Sequence, residues 1–218
     1  MKNKHTSYYP VFLDLHNKKV VIVGGGSVAE RKVMALLDTG AHITVISPEL
    51  TESLRKLRDD RRIVIHEKRY ETGDNLKEAF VVIAATSDEE VNVRVARDAQ
   101  GLLNVVDTPE LCNFIVPSVV KRSPLTIAIS TDGVSPAFSR TIRKELEHLF
   151  GQEIAEYLTC VKQLRLKAKK EIGDAKKREA FLKEIASSDM LEMVRTQGSV
   201  AACDRAEKLL SLYMNDSL

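Results

Sequence analysis

Cysteine is scarce in this chain of 218 residues: Cys112, Cys160 and Cys203 are all there is, standing 48 and 43 residues apart. No C-x-x-C pair exists, so neither a zinc ribbon nor a thioredoxin-type redox motif is written here, and an odd count speaks against a secreted disulfide framework. Excess charge is lacking too. Lys plus Arg total 33 and Asp plus Glu 31, a net +2 that argues against a wholesale polyanion binder of the histone or ribosomal kind and leaves no reason to expect nucleic acid as a partner. Long apolar runs are absent: Phe80 to Ala85 is typical of the longest, far short of the ~20 residues a membrane-spanning helix requires. The opening MKNKHTSYYP carries charge but no apolar segment, so no signal peptide is expected, and a reducing cytoplasm is the natural setting. His5, His16, His42, His66 and His148 share no ligand spacing with one another or with a cysteine, so no metal site is expected. No Ser-His-Asp or Cys-His arrangement, internal repeat or low-complexity tract can be read.

What is present is an ordinary globular composition, 44% hydrophobic and 29% charged, at a length that suits one to two domains. In the first half, short β-rich runs alternate with helical patterns, the signature of βαβ units and a parallel sheet. Strands are predicted at 19–24, 42–46, 62–66, 80–84 and 103–106, with helices at 27–39, 50–58 and 90–100. After Asp107 the character changes. Pro109, Pro117, Pro124 and Pro136 punctuate two β-like stretches, 114–120 and 125–130, and a long amphipathic helix follows at 135–150. From Gly151 the chain is helix-forming without proline, with Gly173 and Gly198 as the expected breaks. The organisation is read as a nucleotide-binding domain at 1–113, a β-containing connector at 114–150 and a helical C-terminal domain at 151–218.

Gly24-Gly25-Gly26-Ser27-Val28-Ala29 fits G-x-G-x-x-A between a strand and a helix, the context that gives this pattern meaning. Gly24 permits the tight turn, Gly26 lets a pyrophosphate approach the backbone, and Ala29 allows close helix-sheet packing. The helix opening at Ser27 and Val28 then points free N–H groups at the phosphates. The fold class is accordingly α/β, a Rossmann-like doubly wound parallel sheet. The acidic residue that usually ends the second strand is missing, since that position reads Ile46-Ser47-Pro48-Glu49. No arginine stands there to receive a 2′-phosphate either, which favours NAD over NADP.

Ligands of such sheets lie at the carboxyl ends of strands, so Thr86 after the fourth strand and Asp107 after the fifth are the positions to inspect. Asp107 is the first candidate for proton transfer; an Asx-type turn two residues before Pro109 is the competing reading. Ser135 before Pro136 suits a helix N-cap, and the same N-terminus is able to receive an anion.

Together VIVGGGSVAERK (21–32), AATSDEEVN (84–92) and NVVDTPELCNFIVPSVVKRSPLTIAISTDGVSPAFSRTIRKELE (104–147) resemble the precorrin-2 dehydrogenase / sirohydrochlorin ferrochelatase family, which also forms the N-terminal half of siroheme synthases. The resemblance implies NAD-dependent oxidation of precorrin-2 to sirohydrochlorin, with ferrous iron insertion following in many members. It places the essential aspartate at Asp107 and dinucleotide contacts at Ser27, Val28, Pro48 and Glu49 beside the glycines. Thr86 joins the expected cofactor contacts, and Asn104, Thr131, Ser135 and Arg140 are the expected substrate contacts. It implies a homodimer in which the connector is the dimerisation segment, and a stand-alone form without the methyltransferase domain. A serine modified in some members is replaced here by Thr131.

A different class stays open: a non-catalytic NAD-sensing module that signals through its helical tail, for which Asp107 and the loop at 130–136 would be superfluous. The net charge also hides an uneven distribution. Lys162 to Arg178 holds eight basic residues against Glu171 and Asp174, and Lys121, Arg122, Arg140, Arg143 and Lys144 form smaller clusters. Each is read either as a solvated helix face or as part of a rim that would hold a polycarboxylate such as precorrin-2.

Overall fold

A computed structural model of the chain describes residues 8–74 and 76–215. The opening residues of MKNKHTSYYP, His5 among them, lie outside that range. The chain divides into two compact units, one up to Val116 and one from Pro117 onward.

The first unit is built on a wholly parallel sheet of β1 (Lys19–Val23), β2 (His42–Ile46), β3 (Val64–His66), β4 (Val81–Ala84) and β5 (Leu102–Val105), in the spatial order β3-β2-β1-β4-β5. Central strands are covered on both faces, and β1 reads KVVIV with no polar residue after its first. Val20 and Ile22 turn to the face packed by α1 (Ser27–Leu36) and α2 (Glu52–Asp59), where Ala29, Val33, Leu54 and Leu57 meet them. Val21 and Val23 turn to the other, packed by α3 (Glu89–Asp98) through Val95. Each fully buried valine or isoleucine contributes about 1.5–3 kcal/mol, which is why the two-sided apolar strands sit in the middle of the sheet.

Helix ends follow their residues. Asp88 caps α3 by accepting from the Val91 N–H, and Thr51 caps α2 by accepting from the Leu54 N–H. After α1 a 3₁₀ turn runs through Leu37–Thr39 to Gly40, whose φ of 74° ends it in the left-handed region. The third strand is shorter than the sequence suggests, because Arg61 takes a positive φ and the chain joins the sheet only from Val64.

The second unit opens with an antiparallel hairpin, β6 (Ser118–Arg122) and β7 (Leu125–Ile129), closed across Ser123-Pro124. The sequence places the first of these strands from Phe114. Phe114 belongs instead to the parallel unit, packed on the α1 face of the sheet, and pairing begins only after Pro117, which has no N–H to offer. Then come α4 (Pro136–Leu149), α5 (Gln152–Glu171), α6 (Ala175–Glu184) and α7 (Ser188–Asn215), the last broken at Gly198, where φ is 89°. Their core gathers Tyr157, Leu164, Phe181, Ile185, Val194 and Leu210. A break between α6 and α7 falls where sequence offers neither glycine nor proline. There the Tyr157 hydroxyl donates to the Ile185 carbonyl at 2.6 Å from α5, and the Ser187 hydroxyl caps α7 by accepting from the Met190 N–H. No helix among the described residues is long and apolar enough to cross a membrane.

Candidate functional site

Strand order reverses between β1 and β4, so the chain leaves their carboxyl ends in opposite directions and a crevice opens there. Gly24 closes β1 into that crevice at a φ of 119°, its N–H donating to the Ile46 carbonyl at 2.9 Å. A Cβ at Gly24 would stand 2.3 Å from the Ala85 carbonyl oxygen, so only glycine fits between the exits of β1 and β4. Ala29 is fully buried where α1 meets the sheet.

Gly26 differs from its neighbours. It is exposed, and a Cβ built on it would meet nothing within 4 Å. It is also the N-cap of α1, with no side chain accepting from the first turn, whereas α2, α3, α4 and α6 each have a capping side chain. The first helical hydrogen bond runs from the Glu30 N–H to the Gly26 carbonyl, which leaves the N–H groups of Ser27, Val28 and Ala29 to an outside acceptor. An open backbone cradle at an uncapped helix N-terminus fits the diphosphate of a dinucleotide.

The exit of β2 is locked onto this loop. Ser47 is buried and its hydroxyl donates to the Glu49 carbonyl at 2.7 Å, while the Thr51 N–H donates to the Gly25 carbonyl at 3.0 Å. Pro48 and Glu49 face solvent beside the glycines. After β4, the Thr86 hydroxyl accepts from the Asp88 N–H at 3.1 Å and donates to Asn92 Oδ1 at 2.9 Å, and Asn92 Nδ2 returns a bond to the Thr86 carbonyl at 3.1 Å. Asn92, buried on α3, thus fixes the turn that carries Thr86.

At the end of β5, Val106 N–H still donates to the Ala84 carbonyl at 2.9 Å, and the next residue, Asp107, turns into the left-handed region at φ 60°. Asp107 is exposed, and among the described residues its carboxylate makes no hydrogen bond or ion pair. The Asx-turn reading therefore has no bond to support it, and the strained backbone holds a carboxylate outward instead. Asn104 is half-buried and its amide nitrogen donates to the Phe114 carbonyl at 3.2 Å, tying β5 to the segment that follows. The Cys112 thiol is buried against the Val105 backbone, 3.1 Å from its nitrogen and 3.2 Å from its oxygen; burial pushes this thiol up.

Lys32 is the residue sequence reading passed over. It lies on α1 three positions after Ala29 and four after Val28, so helical spacing puts it on the turn above the glycine loop. It is half-buried, and burial holds its ammonium below the usual lysine range, with Arg31 pushing the same way and Cys112 and Asp107 acting in the opposite sense. The helix that opens at the glycine loop thereby carries a cation within the field of Asp107.

Thr131, Ser135 and Arg140 lie on the second unit, at the head of α4. Ser135 caps the helix by accepting from the Phe138 N–H at 3.2 Å. The Thr131 hydroxyl is 3.1 Å from both the Ser135 carbonyl and the buried Ser139 hydroxyl, which folds the loop over Asp132 and Gly133, both at positive φ, onto the helix. Arg140 is exposed and has no ion-pair partner among the described residues, in contrast to Arg143, which is held by Glu147 at 2.5 Å. Lys162, Arg165, Lys167, Lys169 and Lys170 line the exposed surface of α5. Among the described residues no three His, Cys, Asp or Glu gather as a metal group.

A family model described as NAD(P)-binding matches residues 11–118, the unit that holds the glycine loop, and one described as the central part of a sirohaem biosynthesis protein matches residues 122–149. The siroheme synthase of Pseudoalteromonas atlantica is 34% identical over 213 residues, 96% of this chain and 46% of that protein. That of Nitrosospira multiformis is 38% identical over 194 residues, covering 86% and 41%. The chain thus spans less than half the length of these curated relatives. Among solved structures, SirC, a precorrin-2 dehydrogenase, superposes with a TM-score of 0.82 at 25% identity, covering 94% of this chain and 100% of that one. With both family models falling in order along one chain that SirC matches over 94% of its length, the resemblance to the precorrin-2 dehydrogenase / sirohydrochlorin ferrochelatase family read from the sequence holds.

Proposed function

We propose that this chain oxidises precorrin-2 to sirohydrochlorin with NAD, and that ferrous iron is then inserted into the product as a substrate of the same protein. The observation that supports the oxidation most directly is the pairing, on one edge of one sheet, of an open dinucleotide cradle with an outward carboxylate, Asp107, that makes no hydrogen bond among the described residues. Gly24 and Gly26 with the N–H groups of Ser27, Val28 and Ala29 hold the diphosphate, and Pro48 and Glu49 flank the adenosine ribose. The β2 exit favours NAD over NADP, since Glu49 would repel a 2′-phosphate and no arginine stands at 46–49. Thr86, held by Asn92, shapes the crevice between the glycine loop and β5.

Bound NAD supplies a hydride acceptor, and the remaining chemistry falls to the chain. Asp107 takes the proton that leaves the macrocycle, its oxygens taken by no donor among the described residues. Asn104 ties β5, the strand that leads into Asp107, to the segment at Phe114. On the second unit, Arg140 with Thr131 and Ser135 at the same helix head is a surface suited to carboxylate side chains, which precorrin-2 carries in number. A cytoplasmic homodimer completes the proposal.

The test mixes purified protein with NAD and precorrin-2 and follows the tetrapyrrole spectrum. Conversion to sirohydrochlorin with NAD, and weaker conversion with NADP, is the expected result; competent NAD binding without spectral change would turn the assignment toward a sensor. Ferrous iron added after oxidation should yield siroheme above the non-enzymatic rate, and sedimentation of the same sample reports the dimer.

A further inference from the structure

The helical unit holds a pair of thiols that the proposed chemistry does not use. Cys160 lies on α5 and Cys203 on α7; both are free, half-buried, and packed against the core that contains Tyr157, Leu164, Ala202 and Ala206. Their register is set one turn earlier. There the Ser199 hydroxyl donates to the Glu156 carboxylate at 2.5 Å, across an offset of 43 residues. Cys203 and Cys160 share that offset and each lies four residues further along its helix. Two helices in contact at 156 and 199 and running side by side therefore bring these thiols to the same level on facing surfaces. Burial, with Cys160 acting in the same sense, pushes the Cys203 thiol up. Fully buried Ala202 and Ala206 next to Cys203 keep bulk out of the α7 surface on which it lies. No third His, Cys, Asp or Glu completes a metal group with them among the described residues.

We propose that Cys160 and Cys203 are a disulfide-forming site, closed by exchange with a low-molecular-weight disulfide such as oxidised glutathione. One cysteine thiolate attacks the reagent's S–S bond, forms a mixed disulfide and expels one reagent thiolate. The second cysteine thiolate attacks the protein-bound sulfur of that mixed disulfide and expels the other. The two cysteine protons leave on the two reagent thiols; the cysteines lose two electrons and the reagent gains them. The bond joins α5 to the part of α7 just beyond the Gly198 break and closes a loop that contains all of α6, so the unfolded chain loses freedom.

The full chain is incubated, folded, with oxidised glutathione at mildly alkaline pH and its intact mass is measured. The expected product has lost two hydrogens and retains no glutathione at these positions. Its non-reducing peptide map joins the Cys160 and Cys203 peptides, and its thermal midpoint is raised and falls back on adding dithiothreitol. Cys203→Ser and Cys160→Ser should each abolish the cross-link, while Cys112→Ser should leave it intact. Stable glutathione on Cys160 and Cys203 without closure, no reaction at either, or a bond only between two chains would overturn the proposal. Should a serine variant fail to fold, the mass and peptide map of the unmutated protein decide alone.

Discussion

Gly25 lies so close to Glu49 that a Cβ on it would stand 2.0 Å from the Glu49 carbonyl oxygen. Ser47 Oγ and the Leu50 side chain would be 2.8 and 2.9 Å away. The middle glycine of the loop is therefore set by the β2 exit and not by a ligand, while a Cβ on Gly26 beside it would meet nothing within 4 Å. Two adjacent glycines serve two different ends.

That contrast yields a paired prediction. Gly25→Ala should force the β2 exit off the loop and lower stability by about 1–3 kcal/mol, the range for overpacking a tight site. Gly26→Ala should lower stability by less than that, since its only structural cost is a poorer N-cap for α1, yet bind NAD at least about tenfold more weakly, or ~1.4 kcal/mol, because its methyl enters the cradle. Thermal unfolding and calorimetric titration separate the two; equal behaviour of the variants would contradict the geometry.

Asp107→Asn is the cleaner test of the carboxylate. Asparagine tolerates the left-handed backbone at φ 60° nearly as aspartate does, so the fold and NAD affinity should persist. Turnover of precorrin-2 should fall by about 10²–10⁴, the usual contribution of a general base. Near-normal kcat in this variant removes Asp107 from proton transfer.

Arg140→Ala should raise the KM for precorrin-2 by about tenfold with kcat little changed, the signature of a contact made equally in ground and transition states. An unchanged KM would assign the carboxylates to another cation, with Lys121 and the α5 lysines next to be tested.

Asp174 supplies a pH test of the helical unit. Its carboxylate accepts from the Lys177 and Lys176 N–H groups at 3.0 and 2.7 Å, and these bonds hold it below its ordinary value of 3.8. A folded-state pKa below the unfolded one gives stability that is present above the unfolded value and lost as pH falls through the folded one. Asp174→Ala should therefore lower the thermal midpoint at neutral pH, and the gap to the unmutated protein should narrow as the pH is taken below 3.8. A gap independent of pH would mean that the side chain acts by something other than its charge.

Local chemistry carried much of this fold into the sequence. Asp88, Ser135 and Gly40 do as caps and stops what their residue types require, and the all-apolar β1 could only be a strand covered on both faces. The glycine pattern located the crevice because turn, phosphate approach and helix packing each demand a small residue at fixed spacing. Those are interactions between near neighbours, and near neighbours are what a sequence displays.

Other features depend on chain segments far apart in number. Gly25 is needed because of Glu49, Lys32 is half-buried in the field of Asp107, and the turn between α6 and α7 is held by Tyr157 from α5. Asn104, expected at the substrate, turns out to brace Phe114 as well. Periodicity, capping and φ preference act within a few residues, so the parallel α/β unit, its glycine loop and the helical tail are legible in the order of amino acids. Which polar groups remain open to a ligand and which thiols share a helix interface depend on packing between segments whose separation along the chain sets no distance in space.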